Sequence, residues 1–117
     1  MTKQDTDPVP GLLDSLELVD DAIGLVGVGL NQNPSMDEER TLSQQELRLK
    51  AERGVLQAEV NAAASGQSAQ GPSDTQHAAI VALSIQVEAA TNANAAASLA
   101  IGLVSETLGL IAQVVST

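Results

Sequence analysis

Between Ile80 and Val115 one side-chain position recurs by threes and fours without a miss: Ile80, Leu83, Val87, Ala90, Asn94, Ala97, Ile101, Val104, Leu108, Ile111 and Val115. Steps of three and four keep side chains on one face of an α-helix, whereas a strand alternates its faces by two. The spacing predicts one long helix over residues 74–117 with a heptad seam along it. A neighbouring stripe, Thr91, Ala95, Ser98, Gly102, Ser105, Gly109, Ala112 and Ser116, keeps the same spacing but holds only small residues. Such residues let another backbone approach closely, so the helix offers knobs on one stripe and a groove on the next. Asn94 interrupts the large seam and reads in two ways. A buried Asn fixes register and partner number at some cost in stability; alternatively Asn92 and Asn94 mark a break that divides the helix into 75–91 and 95–116.

The side chains available to fill such seams are restricted. The chain has no Phe, Tyr, Trp or Cys, so Ala, Val, Leu and Ile must supply the core. Without aromatic anchors a small-molecule pocket is disfavoured. Without thiols there is no disulfide, thiolate metal site or cysteine nucleophile. Acidic residues outnumber basic ones 15 to 5, for a formal charge of −10. Phosphate backbones demand clustered Lys and Arg, so no nucleic-acid partner is expected. Besides Lys3, the basic residues are Arg40, Arg48, Lys50 and Arg53, set among Glu38, Glu39, Glu46 and Glu52. The spacing pairs Glu46 with Lys50 and Arg48 with Glu52 on a solvated helix. His77, the only histidine, has no nucleophile placed against it and reads as a surface residue. The acidic runs Asp20–Asp21 and Asp37–Glu39 suit helix starts and solvent, and no calcium loop, phosphate loop, dinucleotide fingerprint or nucleophile elbow occurs. The expectation is a non-enzymatic chain with no metal and no cofactor.

Residues 1–10, with Pro8 and Pro10, read as a flexible arm. From Gly11, Leu12, Leu16, Val19, Ile23, Val26 and Leu30 predict a helix that stops at Asn31–Pro34. Gly24, Gly27 and Gly29 each cost about 1 kcal/mol against Ala inside a helix, which implies close packing or an unwound end. A second helix begins at Ser35, where Glu38 completes capping-box spacing, or near Thr41 or Ser43, and runs to about Ala64. Its stripe of Leu42, Leu49, Leu56, Val60 and Ala63 is modest and the rest should face water. Residues 65–73 form a linker, after which Ser73 or Thr75 caps the long helix. Ala22-Ile23-Gly24-Leu25-Val26 recurs as Ala100-Ile101-Gly102-Leu103-Val104, a shared packing style. The expected organisation is an arm (1–10), two helices (11–64), a linker (65–73) and an assembly helix (74–117). The fold class is all-α: an elongated hairpin or bundle of two to three helices with a long C-terminal helix.

A straight helix of 43 residues would measure roughly 64 Å, far beyond the radius of gyration of about 13 Å of a compact domain this size. Unless it breaks, its apolar flanks must be covered by other copies of the chain. Two sticky stripes favour heterologous contacts that run on into filaments, ribbons or tubes. Glu88 and Glu106, eighteen residues apart, would project to the same side of a straight helix. They form either a wet strip or, where assembly buries them, a pH sensor that favours the assembled state as pH falls.

The run Gln86-Val87-Glu88-Ala89-Ala90-Thr91-Asn92, the Ala-rich stretch after it, and a gapped Leu-x-x-Ala-Gln pattern from Leu108 to Gln113 resemble the R-body structural proteins, the killing-trait family of bacteria. That resemblance implies a small helical chain that polymerises into coiled ribbons, some of which extend on acidification. The chain departs from the pattern in lacking an aromatic position and Gln runs, and residues 1–73 have no counterpart. The function expected is therefore a structural subunit partnered with copies of itself. The alternatives are a secreted filament or translocator subunit of a specialised secretion system, and a membrane-active protein inserting Leu12–Leu30 and Ala95–Val115. Met1–Pro10 lacks a basic start followed by an apolar core, so a cytoplasmic location is expected, with signal-independent export open. Ala95–Val115 is apolar enough for a span, but Glu106 sits within it and no basic or aromatic anchors flank it.

Overall fold

The computed structural model describes residues 8–67, 69 and 71–115. Four helices account for most of them: α1 (Pro8–Leu30), α2 (Met36–Ala64), α3 (Asp74–Asn92) and α4 (Ala97–Val115). Among the described residues there is no strand, and the fold is all-α. The boundaries follow from local chemistry. At the start of α2 the Glu38 N–H donates to Ser35 Oγ and the Ser35 N–H donates back to the Glu38 carboxylate, a reciprocal capping box. Ser73 and Gln76 make the same exchange at the start of α3. α2 ends where Gly66 turns to φ +82°, a backbone region that costs glycine nothing. There the Gln67 N–H reaches Ala62 O and the Gly66 N–H reaches Ala63 O.

The long C-terminal helix is not continuous. It ends at Asn92, turns through residues 93–96 and restarts at Ala97, so the described residues form four helices in place of the expected two to three. Asn94 sits at φ +53°, a conformation in which Asn is among the best tolerated non-glycine residues. The Ala95 N–H donates to Ala90 O and the Asn94 N–H to Thr91 O, the paired bonds of a Schellman ending. Ala95 and Ala90, joined by the first of these bonds, are both buried. Of the two readings of Asn94, the break is the one the fold takes: its side chain is exposed at the turn, so it has no role as a core register residue.

The pieces then fold back on one another. α1 packs against α2, α3 and α4, α4 also packs against α2 and α3, and α2 and α3 do not meet. The order around the bundle is therefore α1, α2, α4, α3, with α1 and α4 facing each other across its short diagonal. Gly29 permits that approach: a Cβ there would lie 3.0 Å from the Ala100 methyl and 3.2 Å from Leu42 Cδ1. Gly24 and Gly27 look into open space, so of the three glycines in the second half of α1 only Gly29 has a close-packing reason; Gly11, near the start of α1, has its own, since a Cβ there would lie 2.8 Å from Pro72 Cγ. The core runs the length of the bundle through Leu12, Leu18, Leu25, Leu42, Leu49, Leu56, Ile80 and Ile111. Buried hydroxyls bond within their own helices, Ser15 to Gly11 O at 2.9 Å and Thr107 to Leu103 O at 2.9 Å. The molecule measures 53 × 22 × 18 Å with a radius of gyration of 15.0 Å, slightly longer than a globule and much shorter than the rod.

Candidate functional site

The bundle consumes its own heptad seam. Ile80, Leu83, Val87, Ala90, Ala97, Val104, Leu108 and Ile111 are buried, while Ile101 and Val115 are half-buried against the core. The seam expected to serve assembly lies within the chain's own core: folding at 93–96 lets its two halves, with α1 and α2, cover one another within a single chain.

The small-residue stripe has a different fate. Ala95 is buried in the turn, but Ser98, Gly102, Ser105, Gly109 and Ala112 all lie exposed along the outside of α4. A Cβ at Gly102 or Gly109 would meet nothing within 4 Å. Residues Ala97–Val115 are apolar and long enough to cross a membrane, yet only 39% of that stretch is buried in the bundle. Its outer face adjoins a groove of about 480 Å³ between α3 and α4, lined by Ala79, Ala82, Gln86, Glu106, Gly109 and Gln113.

Glu88 and Glu106 are separated by the break. Both are exposed, but Glu106 lines the α3/α4 groove while Glu88 faces α1, so they do not form one strip on one helix. Glu88 joins Asp14, Glu17 and Asp21 around a second groove, of about 300 Å³, lined also by Val81, Ser84 and Ile85 of α3. It continues into a hollow of about 260 Å³ between Asp20, Asp21, Gly24, Glu88, Thr91 and Asn92. Partial burial raises the Asp21 pKa above the usual carboxylate value, and the negative charges of Glu17, Glu88 and Asp20 push it the same way. The rim is pinned at two places: His77 Nε2 lies 2.6 Å from the Asp14 carboxylate, tying α3 to α1, and Arg53 Nε donates to Asp20 at 2.6 Å, tying α2 to α1. His77 is thus a link between helices, a role the sequence does not suggest. Among the described residues no group of three His, Cys, Asp or Glu side chains converges to hold a metal.

α2 turns a second apolar line outward. Leu47 is 70% exposed, and Val55 is exposed along with Ala51 and Ala58. Lys50 stands on one side of this line, 3.5 Å from Glu46 as expected for the i,i+4 pair. Arg48 stands on the other, and the expected ion pair with Glu52 is not formed. On the inner face of α2 the structure adds a residue that sequence reasoning missed. Gln45, only 7% exposed, donates from Nε2 to Ile101 O at 3.2 Å and to Ser105 Oγ at 3.0 Å, joining α2 to α4. Its Oε1 is buried without a partner. The signal was present: Gln45 lies three residues after Leu42 and four before Leu49, a core position of that stripe.

These features define an all-α bundle with a closed interior and chemically distinct outer faces. The chain matches no family model, no curated protein and no solved structure.

Proposed function

We propose that this chain is a non-enzymatic structural subunit that self-assembles, with the outer face of α4 as its first contact surface. One observation carries the reading: α4 is apolar enough on average to cross a membrane yet only 39% buried, and its exposed side is mostly small residues with a single charge, Glu106. A helix of that kind is stable when it has protein on several sides. Its open side bears Ser98, Gly102, Ser105 and Gly109, so a second backbone can lie close against it. A face that pairs with its own copy makes a two-fold dimer. The likeness of residues 86–113 to R-body chains agrees with an assembling role.

The test uses residues that separate folding from assembly. Gly102→Leu with Gly109→Leu fills the groove while replacing two glycines by a better helix former, each change worth up to about 1 kcal/mol to the isolated helix. The expected outcome is a wild-type protein that sediments above its 11.9 kDa chain mass and a double variant that stays monomeric with an equal or higher Tm. A wild-type protein that stays monomeric at every concentration would overturn the reading.

A second reading, membrane insertion of α4, is favoured by the same length and apolarity and opposed by Glu106 within the stretch. Leakage of dye from anionic liposomes at acid pH, abolished by Leu99→Asp on the exposed side of α4, is the result that would support it over self-assembly.

A further inference from the structure

We propose a second, polar-framed contact: the outer face of α2 of one copy seats in the acidic groove between α1 and α3 of the next, joining subunits head to tail. This rests on the self-assembly reading above and adds the contact that would make it open-ended.

Complementary charge identifies the occupant. The groove is framed by Glu17 and Asp21 on α1 and Glu88 on α3, around the exposed Val81 and the 64% exposed Ile85. Any partner must bring aliphatic side chains between positive charges. Among the described residues of this strongly acidic chain every Lys and Arg lies on α2, and the outward line of Leu47 and Val55 has Arg48 on one flank and Lys50 on the other. Arg48 has no carboxylate partner within its own chain among the described residues, and Lys50 holds only Glu46, an exposed pair of the kind that contributes little by itself. By helical spacing Glu46 lies across the helix from the Leu47–Val55 line; Glu52 stands as far round from Ala51 as Lys50 does, but it is half-buried, whereas Arg48 and Lys50 are exposed. The lengths agree as well: Leu47 to Val55 covers about 12 Å of helix and Asp14 to Asp21 about 10 Å.

Donor face and acceptor groove are different patches, because α2 and α3 occupy opposite corners of the bundle and do not meet. A contact between unlike patches repeats without limit unless its rotation closes a ring. The surface involved is small, which places the contact among weak, reversible interfaces that grow with concentration and weaken as salt shortens the range of charge.

The experiment reverses each partner in the full chain. One variant carries Arg48→Glu and Lys50→Glu, the other Glu17→Lys and Glu88→Lys; all four positions are at the surface, and circular dichroism checks folding. Sedimentation and electron microscopy at up to about 1 mM protein in low salt should show wild-type strings. Each variant alone should lose every species beyond the α4-mediated dimer. An equimolar mixture should regain strings, since each reversed face then finds its opposite, and about 0.5 M salt should return the wild type to the smaller species. Folded variants that polymerise like the wild type, a mixture that fails to recover, or a wild type that stops at the dimer would overturn this contact while self-association stands. A wild type monomeric throughout would overturn both.

Discussion

Gln45 shows what a single polar side chain does inside an otherwise aliphatic bundle. It binds α2 to α4 through two bonds from one nitrogen, but leaves its own oxygen buried and unpaired. An unpaired buried acceptor costs about 1 to 3 kcal/mol, roughly what the two bonds return. Gln45→Met, similar in shape and without polar atoms, should therefore leave stability within about 1 kcal/mol of wild type, measured by urea denaturation. Gln45→Glu, which buries a charge, should lower it clearly. Asp21 provides the pH counterpart. Its folded pKa is raised above the unfolded value of 3.8, first by burial and then by Glu17, Glu88 and Asp20, while Arg53 from α2 is engaged with Asp20. The folded state thus binds the Asp21 proton more readily than the unfolded state. The associated stability is present below 3.8 and lost as pH rises through the raised value. Asp21→Asn should raise the melting temperature at neutral pH and flatten its rise on acidification between neutrality and about pH 4.

At the level of elements, the turn at 93–96 decides the architecture. Asn94 holds a left-handed backbone that a residue with an ordinary Cβ adopts at a cost of about 1 kcal/mol or more. Asn94→Ala should destabilise by about that amount, and Asn94→Gly should be neutral or stabilising; thermal unfolding separates the two. The helix starts at Ser35 and Ser73 were legible only among alternatives: Ser35–Glu38 has capping-box spacing but so does Ser43–Glu46, and Thr75 stood beside Ser73 as a candidate cap. The break was legible only as one of two readings. Its seam passes from Ala90 through Asn94 to Ala97 in the same three-and-four steps that a continuous rod would show. Periodicity is blind to a turn that keeps phase. The inner line of α2 was legible, since Leu42, Leu49, Leu56 and Val60 are buried as their spacing predicts; the outward line was hidden because Leu47 and Val55 sit among charges. The link from His77 to Asp14 spans sixty-three positions, beyond any local pattern.

On the scale of the whole molecule, the seam that implied a polymer is mostly spent on the interior, and the small-residue stripe beside it is left outside. Fifteen acidic residues against five basic ones are distributed unevenly: α1 and α3 carry the acid-framed groove, α2 carries the basic residues, and α4 has the single charge Glu106. That segregation, and not composition alone, gives the proposed contacts their direction. The short diagonal has one more effect. Since α2 and α3 are bridged only by α1 and α4, neither helical hairpin has a closed interior of its own. Severing the chain in the α2–α3 crossover would leave two halves whose greasy sides are each open, so the four segments form one indivisible folding unit and cannot be parcelled into independent modules.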